Sequence, residues 1–120
     1  MSWDDHYRRH AAVKSVLRHA ERNPAAGLAY DHLPEARNNF ADRRELLLAL
    51  QYDWSQALWA RIELLCSNGR PVDANEVART AWLQCAAIHP VLRRLLDEHR
   101  AELGISPGRE QPDVASPLVA

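Results

Sequence analysis

The chain has 120 residues, a formal net charge of −1 and a 47% share of hydrophobic residues, one domain's worth of sequence with enough apolar surface for a core that needs neither metal nor disulfide. No apolar run approaches the ~18–20 residues of a membrane span, and the acidic opening Met1-Ser2-Trp3-Asp4-Asp5 is the opposite of a basic secretory leader. Two cysteines and a near-neutral charge balance give the expectation of a cytoplasmic protein, with nucleic acid disfavoured as a partner even though Arg8-Arg9, Arg43-Arg44 and Arg93-Arg94 form three basic pairs.

In chain order, Ser2 with Asp4 and Asp5 starts a helix, through a hydroxyl cap and acidic residues facing the dipole. At 100° per residue Trp3, Tyr7, His10, Val13 and Leu17 share one face, and Asn23-Pro24 ends the helix because proline disfavours the α conformation in the residue before it. The segment from Asn23 to Ala41 reads as a connector with a short helix from Pro34. Asp42 followed by Glu45 has capping-box spacing for a second long helix that runs to about Asn68, with Gly69 in the left-handed position beyond it. Asp73 and Glu76 repeat the arrangement for a third helix, with Val72 and Val77 at the staple positions. This helix carries a stripe through Val77, Ala81, Cys85, Ile88, Leu92, Leu95, Leu96 and Leu103, with a kink or break expected near His89-Pro90 and a stop at Gly104. The expected architecture is all-α. It comprises a bundle of three long helices over about 3–22, 43–68 and 74–103 and a short one near 34–39, in a single domain over 1–103 with a disordered tail over 104–120.

The second long helix is apolar on two sides. A wide face holds Leu46, Leu47, Leu50, Trp54, Ala57, Leu58, Leu64 and Leu65, and roughly opposite lies a strip of Leu48, Tyr52, Trp59 and Cys66. Such a helix is either central to its own fold or shared with a second subunit, and tryptophan and tyrosine are favoured interface anchors. The strip is therefore the candidate interface of a homodimer. Measured from the turn at Gly69, Cys66 lies about 3 Å and Cys85 about 18 Å along antiparallel neighbours, which argues against an intramolecular disulfide.

Arg61 falls among Trp54, Ala57, Leu58 and Leu65 on the wide face. A buried guanidinium left alone costs several kcal/mol, so it must be paired, stacked or snorkelling past the core rim. Arg61 with Trp54, Trp82 and His89 makes the candidate pocket for a small ligand carrying a carboxylate or phosphate. His6 and His10, one turn apart, have chelating spacing, but no Cys-x-x-Cys, His-Glu-x-x-His or Glu-x-x-His accompanies them, so no metal and no other cofactor is expected. Ser15, Ser55 and Ser67 lie in helical patterns, and no glycine-rich phosphate loop is present. These features predict a protein that is not an enzyme.

The run Phe40-Ala41-Asp42-Arg43-Arg44-Glu45-Leu46-Leu47 resembles the junction between the DNA-binding and ligand-binding parts of tetracycline-repressor-type regulators. Ala81-Trp82 and His89-Pro90-Val91-Leu92-Arg93-Arg94-Leu95-Leu96 resemble segments of their helical sensor half. The resemblance spans about residues 40–103. No recognition helix fits between Asn23 and Asn39, with Pro24, Gly27 and Pro34, so what it implies is dimerisation and a ligand pocket with DNA reading lost. The first expectation is thus a non-catalytic helical interaction module that self-associates. A small-molecule sensor or transcription-related protein of the repressor type is the second, and a metal-binding or enzymatic bundle the third.

Overall fold

A computed structural model describes residues 3–67, 69 and 73–104. Six α-helices and two short 3-10 turns carry these residues, and no strand occurs among them: α1 (Trp3–Arg22), 3-10 turns at Pro24–Ala26 and Tyr30–His32, α2 (Pro34–Asn39), α3 (Arg43–Cys66), α4 (Ala74–Ile88), α5 (Pro90–Glu98) and α6 (Arg100–Leu103). The all-α expectation holds.

Local chemistry sets most of these boundaries. The Asp42 carboxylate accepts the Glu45 backbone N–H at 2.9 Å, while the Glu45 carboxylate reaches back to the Ala41 N–H at 3.2 Å. This is a capping box displaced by one residue at its return arm. Asp73 caps α4 in the same way, accepting the N–H groups of Asn75 and Glu76; its staple partner Val72 lies outside the described residues. α3 ends at Cys66, before the expected Asn68: Ser67 (φ −82°, ψ 0°) leaves the helical region while its N–H still bonds the carbonyls of Glu63 and Leu64. Gly69 and Gly104 hold the left-handed backbone expected of them. The expected tail falls, from residue 105 on, outside the described residues.

The third long helix is not one kinked rod but three pieces. His89 (φ −122°, ψ 61°) leaves the helical region and Pro90 becomes the first residue of α5, the position where a missing N–H costs nothing. A second break follows at His99 (φ −113°, ψ 22°). The three pieces run back along the whole of α3: Ala57 meets Cys85, Trp54 meets Arg93, and Arg43 meets Glu102. α1 lies across this layer. Its Arg9 pairs with Glu45, and at its other end the Ala20 carbonyl accepts from Arg94.

The core gathers Val13, Val16 and Ala20 of α1 with Leu46, Leu47, Leu50 and Trp54 of α3 and Leu92, Leu95 and Leu96 of α5. The connector contributes more than linkage, burying Leu28, Tyr30, Ala36 and Phe40, and the Tyr30 hydroxyl donates to the Phe40 carbonyl at 2.6 Å. Ala29 bends the chain between the two 3-10 turns with a left-handed φ of 55°, a conformation that costs a non-glycine residue about 1 kcal/mol and is held here by buried neighbours on both sides.

Three expectations about facing need correction. Trp3 and Tyr7 open the α1 face but stand exposed, since burial on α1 begins only at Ala12. Leu64, assigned to the inner face of α3, is 58% exposed, and Ile88 on the α4 stripe is exposed as well. Both lie where α3 has passed Trp54, beyond which none of its side chains is buried.

Candidate functional site

The outer face of α3 is open. Leu48, Tyr52 and Trp59 are 47%, 62% and 63% exposed, and Cys66 is exposed beside them. At spacings of four and seven residues they fall on one side of the helix, and none of them belongs to the buried core or to the side chains packed on it. The open end of α1 adds further aromatic surface: Trp3 lies 5.8 Å from both the Tyr7 and the His6 rings, and the His6 and His10 rings stack at 6.5 Å with planes 4° apart.

Between α1 and α3 runs a groove of about 450 Å³. One wall is His6, Arg9, His10 and Val13; the other is Glu45, Leu48, Ala49, Tyr52 and Asp53. Arg9 and Glu45 satisfy one another at 2.6 Å, and the Arg9 guanidinium also lies over the Phe40 ring at 5.2 Å. Asp53 has no hydrogen bond or ion pair among the described residues. Partial burial pushes its carboxyl above the ordinary aspartate value, opposed by the more distant positive fields of His10, His6 and His89.

The four residues of the expected ligand pocket separate into two pairs. Trp54 is buried, and its indole meets that of Trp82 edge-on at 5.7 Å and 71°. Arg61 and His89 instead line a different hollow of about 260 Å³, shared with Ala57, Leu64, Cys85 and Ile88 and open to solvent. The guanidinium in the core is Arg93, only 5% exposed. It sits 4.6 Å from the Trp54 ring centroid and 5.4 Å from that of Trp82, and donates twice to Asp97 at 2.8 and 3.1 Å. The sequence shows only the Asp97 carboxylate four residues beyond Arg93; the approach to Trp82 depends on how α5 turns from α4 at His89, which helical periodicity does not carry across.

The three arginine pairs do not form one free basic patch. Arg8 meets Asp5, Arg9 meets Glu45, Arg43 meets Glu102, Arg44 donates to the Glu102 carbonyl, Arg93 meets Asp97, and Arg94 donates to the Ala20 carbonyl. Glu102 is held below the ordinary glutamate range by the hydrogen bonds from Arg43 and then His99. Among the described residues no group of three or more His, Cys, Asp or Glu side chains is disposed to hold a metal ion, and none of the helices is long and apolar enough to cross a membrane. Both cysteines are free, Cys66 exposed and Cys85 buried. No protein-family model matches the chain, and neither a curated protein nor a solved structure is significantly similar to it.

Proposed function

We propose that this chain is a non-catalytic helical module that self-associates through the outer face of α3. The observation that carries the reading is the row Leu48, Tyr52, Trp59 and Cys66, left open along more than four turns of a helix whose opposite side is the core. Singly exposed apolar residues are ordinary, but aligned aromatics on one face are not. Their burial against a second copy is worth roughly 25 cal/mol per Å² of apolar surface removed from water. A twofold pairing of the strip with itself closes the contact and leaves no unsatisfied copy. The resemblance of residues 40–103 to the helical half of tetracycline-repressor-type regulators, which implies dimerisation, points the same way.

The test is sedimentation at micromolar concentration. The wild type sediments as a dimer, and Trp59→Glu sediments as a monomer with an unchanged far-ultraviolet circular dichroism spectrum, since an exposed side chain is being replaced. A monomeric wild type, or a variant that remains dimeric, removes the proposal.

A further inference from the structure

The groove between α1 and α3 holds a carboxylate that no hydrogen bond or ion pair of the described residues engages. It contains two carboxylates in different states. Glu45 is tied to Arg9 and to the Ala41 N–H, whereas Asp53, half-buried on the same wall, makes no hydrogen bond and no ion pair among the described residues. The groups that face it are His6 and His10 from α1 and His89 from the turn between α4 and α5, all acting at a distance. Arg9, the one permanent cation lining the groove, is already spent on Glu45 and the Phe40 ring. Beside Asp53 the surface is apolar and aromatic: Val13, Leu48, Ala49 and the Tyr52 ring.

We propose that this groove binds a small organic cation, an ammonium group on an apolar or aromatic body, with Asp53 as its counter-ion. Charge complementarity selects the ligand class. An ammonium donates to the Asp53 carboxylate, which no side chain or backbone N–H of the described residues engages, and its body lies against Val13 and Ala49. An anion in the same place would meet Asp53 and Glu45 with no uncommitted arginine to receive it. A volume of about 450 Å³ lies within the usual range of small-ligand sites, roughly 300–1,000 Å³. The site does not depend on self-association, although Leu48 and Tyr52 border both.

The full chain is titrated with phenethylammonium chloride, 2-phenylethanol or sodium 3-phenylpropionate at matched ionic strength and neutral pH, followed by amide chemical shifts. The expected result is saturable binding of the amine in the low millimolar range, with shifts confined to amides around His6–Val13 and Ala49–Asp53. The alcohol binds at least about tenfold more weakly and the carboxylate not at all. Asp53→Asn, which keeps the shape and removes the charge, weakens the amine about tenfold, or roughly 1.4 kcal/mol, and leaves the alcohol unchanged. The same titration on Trp59→Glu gives the same affinity, so loss of the dimer and loss of the site are read separately. Equal binding of amine and alcohol, an unaffected Asp53→Asn variant, shifts centred elsewhere, or no saturation by the amine would each overturn the proposal.

Discussion

Replacing Arg93 separates the two ways in which a buried arginine holds a core together. Its guanidinium lies over the Trp54 and Trp82 rings at 4.6 and 5.4 Å, contacts worth about 1 kcal/mol each when partly desolvated. Its partner Asp97 has a half-exposed side chain and also accepts from Arg100 at 2.6 Å. Removing Arg93 therefore leaves Asp97 within reach of water and of Arg100, so the cost of about 3–5 kcal/mol for breaking a fully buried pair does not apply to this pair, which contributes under about 1 kcal/mol. Arg93→Met keeps a stem of similar length between the indoles. It loses the cation contacts but also relieves the dehydration of a charge, for a net destabilisation of about 1 kcal/mol. Arg93→Ala adds a cavity beside two tryptophans, worth roughly 2 kcal/mol more, for a total near 3 kcal/mol. Urea unfolding followed by tryptophan fluorescence reads both variants. If Met is as damaging as Ala, the charge and not the stem is what the core requires. If Ala costs less than about 1 kcal/mol, neither the stem nor the charge of Arg93 holds the two indoles in place.

Two further predictions test the packing elsewhere. In the monomeric Trp59→Glu variant an aromatic disulfide reagent at neutral pH titrates Cys66 rapidly and Cys85 only on denaturation, because Cys85 is 2% exposed and burial pushes its thiol further above the ordinary value, away from the reactive thiolate; two fast thiols in the folded variant would refute this burial. The depressed carboxyl of Glu102, held first by Arg43 and then by His99, supplies stability above the ordinary glutamate range that is lost as pH falls through its lowered folded-state value. Glu102→Gln therefore lowers stability by under about 1 kcal/mol near neutral pH, the side chain being half-exposed. Urea unfolding followed from neutral pH into acid should show that the difference shrinks as pH falls, and a difference independent of pH would exclude this role.

The elements most legible in the sequence are those fixed within one or two turns. Asp42, Asp73, Asn23-Pro24 and Pro34 carry their own instructions, and the end of α1 and the starts of α2, α3 and α4 follow from them. Pro90 shows where that logic thins. A proline inside an apolar stripe signals disruption, but whether it bends a helix or starts a new one depends on what the residues on either side pack against. The break at His99 has no proline or glycine to announce it; besides Glu102, three residues on, His99 lies against Arg43 and the backbone at Gly27, both far away in sequence. The same limitation moved the buried guanidinium from Arg61 to Arg93. Angular position puts Arg61 on the core side of α3, yet a side chain is buried only where a neighbour arrives to cover it. The groove holding Asp53 is likewise made by α1 lying across α3, a crossing that the long connector leaves undetermined.

The distribution of burial along α3 has a consequence for how this protein comes apart. Every buried side chain of that helix falls between Leu46 and Trp54, and α4 adds only Ala81 and Cys85. The outer end of the α3–α4 hairpin thus rests mainly on its own helical hydrogen bonds and on half-covered contacts. Opening it exposes little new apolar surface, while opening the other end means dismantling the whole core. The burial pattern predicts two tiers of cooperativity: amides in the last turns of α3 and the first turns of α4 exchange by local opening, and those of the proximal body are released only by global unfolding. Whatever settles on the distal tip also raises the free energy of fraying there, so occupancy would be written in the exchange of backbone protons well before it changed the melting of the body.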